Sequence, residues 1–152
     1  MKILVVCQYF YPEQFRINDV CFGLVEMGHD VTVLTGLPNY PSGIVHSNYK
    51  WGRKRRENIN GVEVIRAPLV GRGKGTFQLS LNYLSFALTA SVKALFLQRD
   101  FDVIFVYQLS PITMAIPASR LKKLTGRPML LYCLDLWPES ISAAGIGHES
   151  SV

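Results

Sequence analysis

The chain has 152 residues, 49% hydrophobic and 18% charged, with a net charge of +5 and a pI near 9.2. That length suits one domain with a real core, and the composition excludes a disordered chain. The positive balance favours anionic partners: phosphates, an anionic bilayer or nucleic acid. Residues 2–7 (KILVVC) are a continuous apolar run, the pattern of a strand buried on both faces. The run is too short for a signal peptide. Residues 15–27 have helical spacing, with Ile17, Val20, Cys21, Leu24 and Val25 on one side and Gly28 as the stop. Residues 30–35 (DVTVLT) predict a second strand, followed by a long loop over 36–61. Residues 62–66 predict a third strand, 77–97 a long apolar helix, 102–107 a fourth strand, 112–124 a helix and 128–133 a fifth strand.

This alternation predicts an α/β fold: one Rossmann-like, doubly wound parallel sheet with helices on both faces and strand order 3-2-1-4-5. No repeat and no internal boundary is visible. Cys7, Cys21 and Cys133 are odd in number and lack C-x-x-C spacing. They read as buried reduced thiols of a cytosolic protein rather than as a disulfide frame or zinc site. The 77–97 helix is about long enough to span a membrane. Gln78, Ser80, Asn82, Ser85, Thr89 and Ser91 interrupt it, which favours a packed helix, or one whose outer face touches a bilayer.

The chemistry-bearing residues fall at predicted strand ends. The segment LLYCLDLWPES, 130–140, runs from an apolar stretch that reads as a buried strand into Asp135, Trp137 and Glu139. Ligands of open α/β sheets bind beyond the carboxyl ends of the strands, where acids beside a Trp suit sugar or phosphate chemistry. The same residues suit a helix cap, with Pro138 in the first turn. After the first strand, QYFYPEQFR (8–16) has no G-x-G-x-x-G, which counts against a standard NAD or FAD site. Its aromatics suit stacking on a sugar, although Phe10 and Phe15 suit packing better. Arg16, near a helix start, suits a phosphate. With Tyr107–Pro111 (YQLSP), which carries Gln108 and Ser110, these loops surround one expected switch point.

Two basic segments need separate readings. GRGKGT (71–76) fails the P-loop spacing and reads as a flexible basic loop opening the long helix. The run 50–56 holds Lys50, Arg53, Lys54, Arg55 and Arg56 around Trp51. It suits an anionic membrane surface, nucleic acid or plain solvation; no nucleic-acid motif accompanies it. His29, His46 and His148 form no metal cluster and no Ser-His-Asp arrangement.

The pieces VVCQYFYPE, GHDVTVLTGLPNYPSG, NGVEVIRAPL, NYLSF and LYCLDLWPES, in this order, resemble the N-terminal half of family-four GT-B glycosyltransferases, especially those of bacterial surface polysaccharide (O-antigen or capsule) synthesis. The resemblance covers nearly all of the chain, with NYPSG and DLWPES its most specific parts. It implies a two-domain retaining enzyme in which this domain, 1–152, binds the acceptor. The nucleotide-sugar domain is expected to lie outside this chain, which alone would be inactive. It also implies a UDP-sugar donor, a lipid-linked saccharide acceptor at the inner leaflet, a peripheral cytoplasmic location, and no cofactor or metal. Asp135 is then the expected catalytic residue, which orients or deprotonates the acceptor hydroxyl. The cleft is expected to hold Glu13, Arg16, Asn18, Gln108, Ser110, Trp137 and Glu139, and the 50–56 cations would meet lipid phosphate. Two departures stand out. Many relatives carry a Gly-Gly pair where this chain has Tyr11-Pro12-Glu13-Gln14, and a histidine where it has Asp135. The rival readings are a stand-alone Rossmann-like module for anionic glycolipid or a protein partner and, last, a nucleic-acid binder.

Overall fold

A computed structural model gives the fold, and the structure describes residues 1–135. Six strands form one sheet: β1 (Lys2–Val6), β2 (Asp30–Gly36), β3 (Arg56–Ile59), β4 (Val62–Ala67), β5 (Val103–Gln108) and β6 (Met129–Cys133). Their order is β3-β4-β2-β1-β5-β6. Every neighbouring pair is parallel except β3 with β4. The expected order of the five parallel strands therefore holds. The addition is β3, inside the region expected to be a loop. It pairs with β4 as a hairpin whose turn is Asn60-Gly61, both at positive φ (49° and 84°). Asn-Gly is the dipeptide such two-residue turns favour.

Among the described residues, three helices cover the sheet: α1 (Arg16–Glu26), α2 (Thr76–Leu95) and α3 (Ile116–Thr125), the last entered through a 3-10 turn over Ile112–Ala115. Alternation along the strands divides the core. Leu4, Val6, Leu34, Ile104 and Val106 pack on Phe86, Ala90, Ala94, Ala118 and Leu121 beneath α2 and α3. Ile3, Val5, Val31, Val33 and Val64 pack on Ile17 and Cys21 of α1. Each large apolar side chain fully buried in this way contributes about 1.5–3 kcal/mol.

Helix α2 is unusual in which face it buries. Its inward residues include Ala87, Ala90, Ser91 and Ala94, small enough for close approach to the sheet. Apart from the fully buried Phe86, most of its large residues face out: Phe77, Leu81, Leu84, Leu88, Val92 and Leu95 are 38–78% exposed. Among the described residues, no helix is long and apolar enough to cross a membrane.

Two expectations need correction. β6 is not a buried strand: Leu130, Leu131 and Tyr132 are exposed because it forms one edge of the sheet. Cys133, on the same edge, is exposed, whereas Cys7 and Cys21 are buried as expected.

Candidate functional site

The carboxyl ends of β1, β5 and β6 lie side by side, so the loops after them meet. The chain leaves β1 for β2 on one side and returns to β5 on the other, which makes this the switch point of the sheet. Asp135 follows β6 here and is half-buried. Its backbone oxygen accepts from Gln108 Nε2 at 3.2 Å.

A buried polar network fixes the neighbouring loops. Glu13, 6% exposed, accepts the backbone N–H groups of Asn39 and Tyr40 on one oxygen, at 2.8 and 2.7 Å. Asn39 Oδ1 accepts from the Arg72 backbone at 3.1 Å and from Asn82 Nδ2 at 3.3 Å. Asn82, on α2, also accepts from Gln8 Nε2 at 2.6 Å and donates to the Val70 carbonyl at 2.6 Å. The loops after β1, β2 and β4 are thereby tied to one helix. Burial pushes the Glu13 carboxyl above its ordinary value; the two backbone donors and Arg66 oppose the shift.

Arg66, at the end of β4, is fully buried. Its guanidinium donates to Glu57 at 2.9 Å through Nε and to the Tyr11 carbonyl at 2.5 Å, and it lies 4.7 Å from the centre of the Tyr49 ring. It fastens the β3–β4 hairpin to the first loop. The basic loop expected over 71–76 leads into α2 and, on its way, crosses the NYPSG loop. Gly73 N–H donates to the Gly43 carbonyl at 2.9 Å, and Gly43 N–H donates to Asn39 at 2.7 Å.

This crossing places Arg72, half-buried, with its guanidinium 5.6 Å from the Tyr40 ring centre. Burial raises the pKa of the Tyr83 phenol; Arg72 opposes that shift and Asp135 adds to it. Tyr83 thus stands within electrostatic reach of a cation and of Asp135. It also lines an apolar groove of about 450 Å³ with Thr76, Leu79, Leu84, Ser110 and Pro111. The hydroxyl-bearing Thr76, Tyr83 and Ser110 of this groove can hydrogen-bond a ligand, and Asp135, after β6, supplies a carboxylate that can orient a proton transfer.

The residues expected at the site divide accordingly. Asp135 and Ser110 lie at this edge. Arg16, exposed at the first position of α1, is near enough to Tyr107 to oppose the rise that burial causes in that phenol's pKa. Glu13, Asn18 and Gln108 turn into loop packing rather than into open space. Asn18 donates to the Glu13 carbonyl at 2.7 Å and accepts from the Tyr11 backbone at 3.1 Å. Gln108 accepts from Cys133 Sγ at 2.6 Å. Trp137 and Glu139 lie outside the described residues. Of the basic run, Lys50, Arg53, Lys54 and Arg56 are exposed and Arg55 is half-buried. They lie around β3, away from the switch point, and Arg56 pairs with Glu63. Sequence reasoning missed Arg72 and Tyr83. Their signal was the position of GRGKG in the loop between β4 and α2, and of NYLSF in the first half of the helix that this loop opens.

Residues 14–147 match a family model described as a glycosyl transferase 4-like domain. Over 155 residues the chain is 32% identical to the "Putative colanic acid biosynthesis glycosyl transferase WcaI" of Escherichia coli (strain K12). The match covers 98% of this chain and 38% of that protein, so the chain spans well under half the length of its curated relative. Among solved structures, the C-terminal domain of a hydrogenase from Pyrococcus furiosus is similar at a TM-score of 0.53 and 21% identity, over 86% of this chain and 90% of that one. A second structure of that domain gives 0.53 and 19%, over 86% and 89%. At such identities these two speak to the fold alone.

Proposed function

Since this chain belongs to the glycosyl transferase 4-like domain family, we propose that it is the acceptor-binding half of a GT-B glycosyltransferase of surface polysaccharide synthesis. In this reading a second domain holds a UDP-sugar, and a hexosyl or N-acetylhexosaminyl group passes to a hydroxyl of a lipid-linked saccharide with retention. The observation that carries the reading is the place of Asp135, directly after β6 at the carboxyl ends of the strands beside the switch point, with its backbone oxygen held by Gln108.

Asp135 orients the acceptor hydroxyl or takes its proton; the leaving phosphate of the donor is the other base available in a front-face reaction. No cofactor or metal is assigned a step. The 50–56 cations meet the anionic inner face of the cytoplasmic membrane, where the enzyme sits peripherally. The same reading makes residues 1–152 alone inactive.

The test is a transfer assay on the full protein that carries this chain, with a panel of UDP-sugars and short lipid-linked saccharides, read by mass spectrometry of the product. A glycosylated acceptor supports the reading. Absence of transfer across the panel, with the protein folded and binding UDP, counts against it.

A further inference from the structure

We propose that the pocket closed by the NYPSG loop after β2 binds one uncharged pyranose ring of the saccharide acceptor, stacked on Tyr40 and hydrogen-bonded by His46. NYPSG, residues 39–43, has no part in the chemistry at Asp135. The pocket has a volume of about 260 Å³, and Pro12, Pro38, Tyr40, Ser42, Ile44 and His46 line it. That volume falls just below the range of drug-sized sites, so it suits one small ring better than a nucleotide.

The walls of the pocket are fixed from behind. His46 N–H donates to the Pro38 carbonyl at 2.9 Å, which closes the loop on itself. The buried Glu13 carboxylate holds the backbone of Asn39 and Tyr40. Phe15 and Tyr9 pack on the Tyr40 ring with centres 5.3 and 6.0 Å away, and the Arg72 guanidinium lies 5.6 Å from it. The Tyr40 residue nevertheless stays 46% exposed. A ring held in this way loses little freedom when a ligand stacks on its open surface. His46 Nδ1 accepts from the Asn48 N–H at 3.4 Å. In the neutral imidazole the proton is then on Nε2, which can donate to a hydroxyl.

The lining selects the class of ligand. Neither lysine nor arginine lines the pocket, so a phosphate meets no fixed cation there. A purely apolar group would leave the imidazole unused. A pyranose has both parts, C–H groups across its face for an aromatic ring and hydroxyls around its rim for a donor. The inference rests on the transferase reading in one respect: the sugar is taken to belong to the acceptor. β2, β1, β5 and β6 are successive neighbours, so the pocket stands three strand spacings from Asp135, on the order of 14 Å. The ring it holds is therefore a unit other than the one that carries the reacting hydroxyl.

Binding tests the pocket independently of turnover. Ligand-observed NMR on the full protein, with UDP present, compares methyl glycosides of hexoses, N-acetylhexosamines and 6-deoxyhexoses. Sorbitol, which has hydroxyls but no ring face, and inorganic phosphate are the controls. At least one glycoside should bind at least about tenfold more tightly than either control. His46→Ala should weaken that glycoside about three- to tenfold, the scale of one hydrogen bond. Tyr40→Phe should keep the binding and Tyr40→Leu should lose most of it. If Tyr40→Leu disturbs the loop, Ile44→Trp, at a position 65% exposed, should block the pocket instead.

Equal affinity for the glycosides and sorbitol overturns the proposal, as does glycoside binding that survives both Tyr40→Leu and Ile44→Trp. Phosphate as the tighter ligand also overturns it. A protein that transfers sugar yet binds no glycoside at this loop loses the pocket and keeps the transferase reading. Binding that depends on Tyr40 and His46, without transfer to any acceptor, keeps the pocket and removes the transferase reading.

Discussion

Glu13 accepts the backbone N–H of Asn39 at 2.8 Å, a bond between residues 26 apart in sequence that joins the loop after β1 to the loop after β2. The same oxygen takes the N–H of Tyr40. One buried carboxylate thus fixes the loop that holds Asn39 Oδ1 toward Arg72 and Asn82. Glu13→Ala leaves two backbone donors without their acceptor. It should destabilise the protein by about 1–3 kcal/mol for each donor left buried and unsatisfied, read as a lower urea midpoint. A midpoint equal to the wild type would show that Glu13 holds nothing in place.

The burial of Glu13 has a pH signature. Its folded pKa is raised above the ordinary value of 4.5, first because of desolvation. The native state therefore holds this proton more tightly than the unfolded chain. The ionised form costs stability above the raised pKa, and that cost fades as pH falls through it toward 4.5. Glu13→Gln keeps an acceptor oxygen but cannot titrate. The stability difference between wild type and this variant should shift toward the wild type as pH falls from 7 to 5. Urea unfolding of both proteins across that range checks the sign, and the opposite slope contradicts a desolvated carboxylate.

Arg66 is held by Glu57, by the Tyr11 carbonyl and by the face of Tyr49. Removing one partner of such a pair leaves the other's charge uncompensated, at about 3–5 kcal/mol. Arg66→Met should fall toward the lower end, since the Glu57 side chain keeps 18% of its surface in solvent. Arg66→Lys should recover little, because an ammonium lacks the planar fork that reaches several acceptors at once. Full recovery by lysine would mean that charge alone matters there.

Two glycines separate collision from backbone strain. Gly43 and Gly28 both have positive φ, 77° and 84°. A side chain on Gly43 would stand 2.7 Å from the Gly73 carbonyl oxygen, whereas one on Gly28 meets nothing within 4 Å. Both alanine variants carry the left-handed penalty of about 1–2 kcal/mol. Gly43→Ala should lose about 1–3 kcal/mol more, the cost of overpacking, and should also disturb Arg72 through the loop crossing. Equal midpoints for the two variants would remove the crossing from the account.

Asp135 is tested through turnover. In the full protein, Asp135→Asn should lower kcat by at least about a hundredfold, the scale of a lost acid–base group, while binding of the UDP-sugar stays near normal. Near-normal turnover would remove Asp135 from the chemistry and assign the proton to the donor phosphate.

Much of this was legible in the residues. The five parallel strands follow from short apolar runs alternating with helical spacing, and parallel connectivity then restricts the order. The position of Asp135 after the last run placed it at the switch point. β3 carried a readable signal as well, Asn60-Gly61 between two alternating segments, but its arginine-rich start looked like loop. Periodicity failed for α2 because apolar residues lie on both of its faces. A period identifies a face, and it does not say which face turns inward. The sheet took Phe86 and the small residues, since Ala90 and Ala94 permit close approach, and left Leu81, Leu84, Leu88 and Leu95 outside.

The polar residues mark the boundary between the two kinds of information. Local pattern determined the α/β class, the strand order and the family motifs, because hydrophobic spacing and turn chemistry act over a few residues. Tertiary structure alone decided that Glu13 and Asn18 serve the loops, that Arg66 is buried, and that Tyr83 of α2 shares a groove with Ser110 of the loop after β5. A hydrogen bond between residues 26 apart has no local signature; its partners are chosen only when the sheet brings two strand ends together and water is excluded between them.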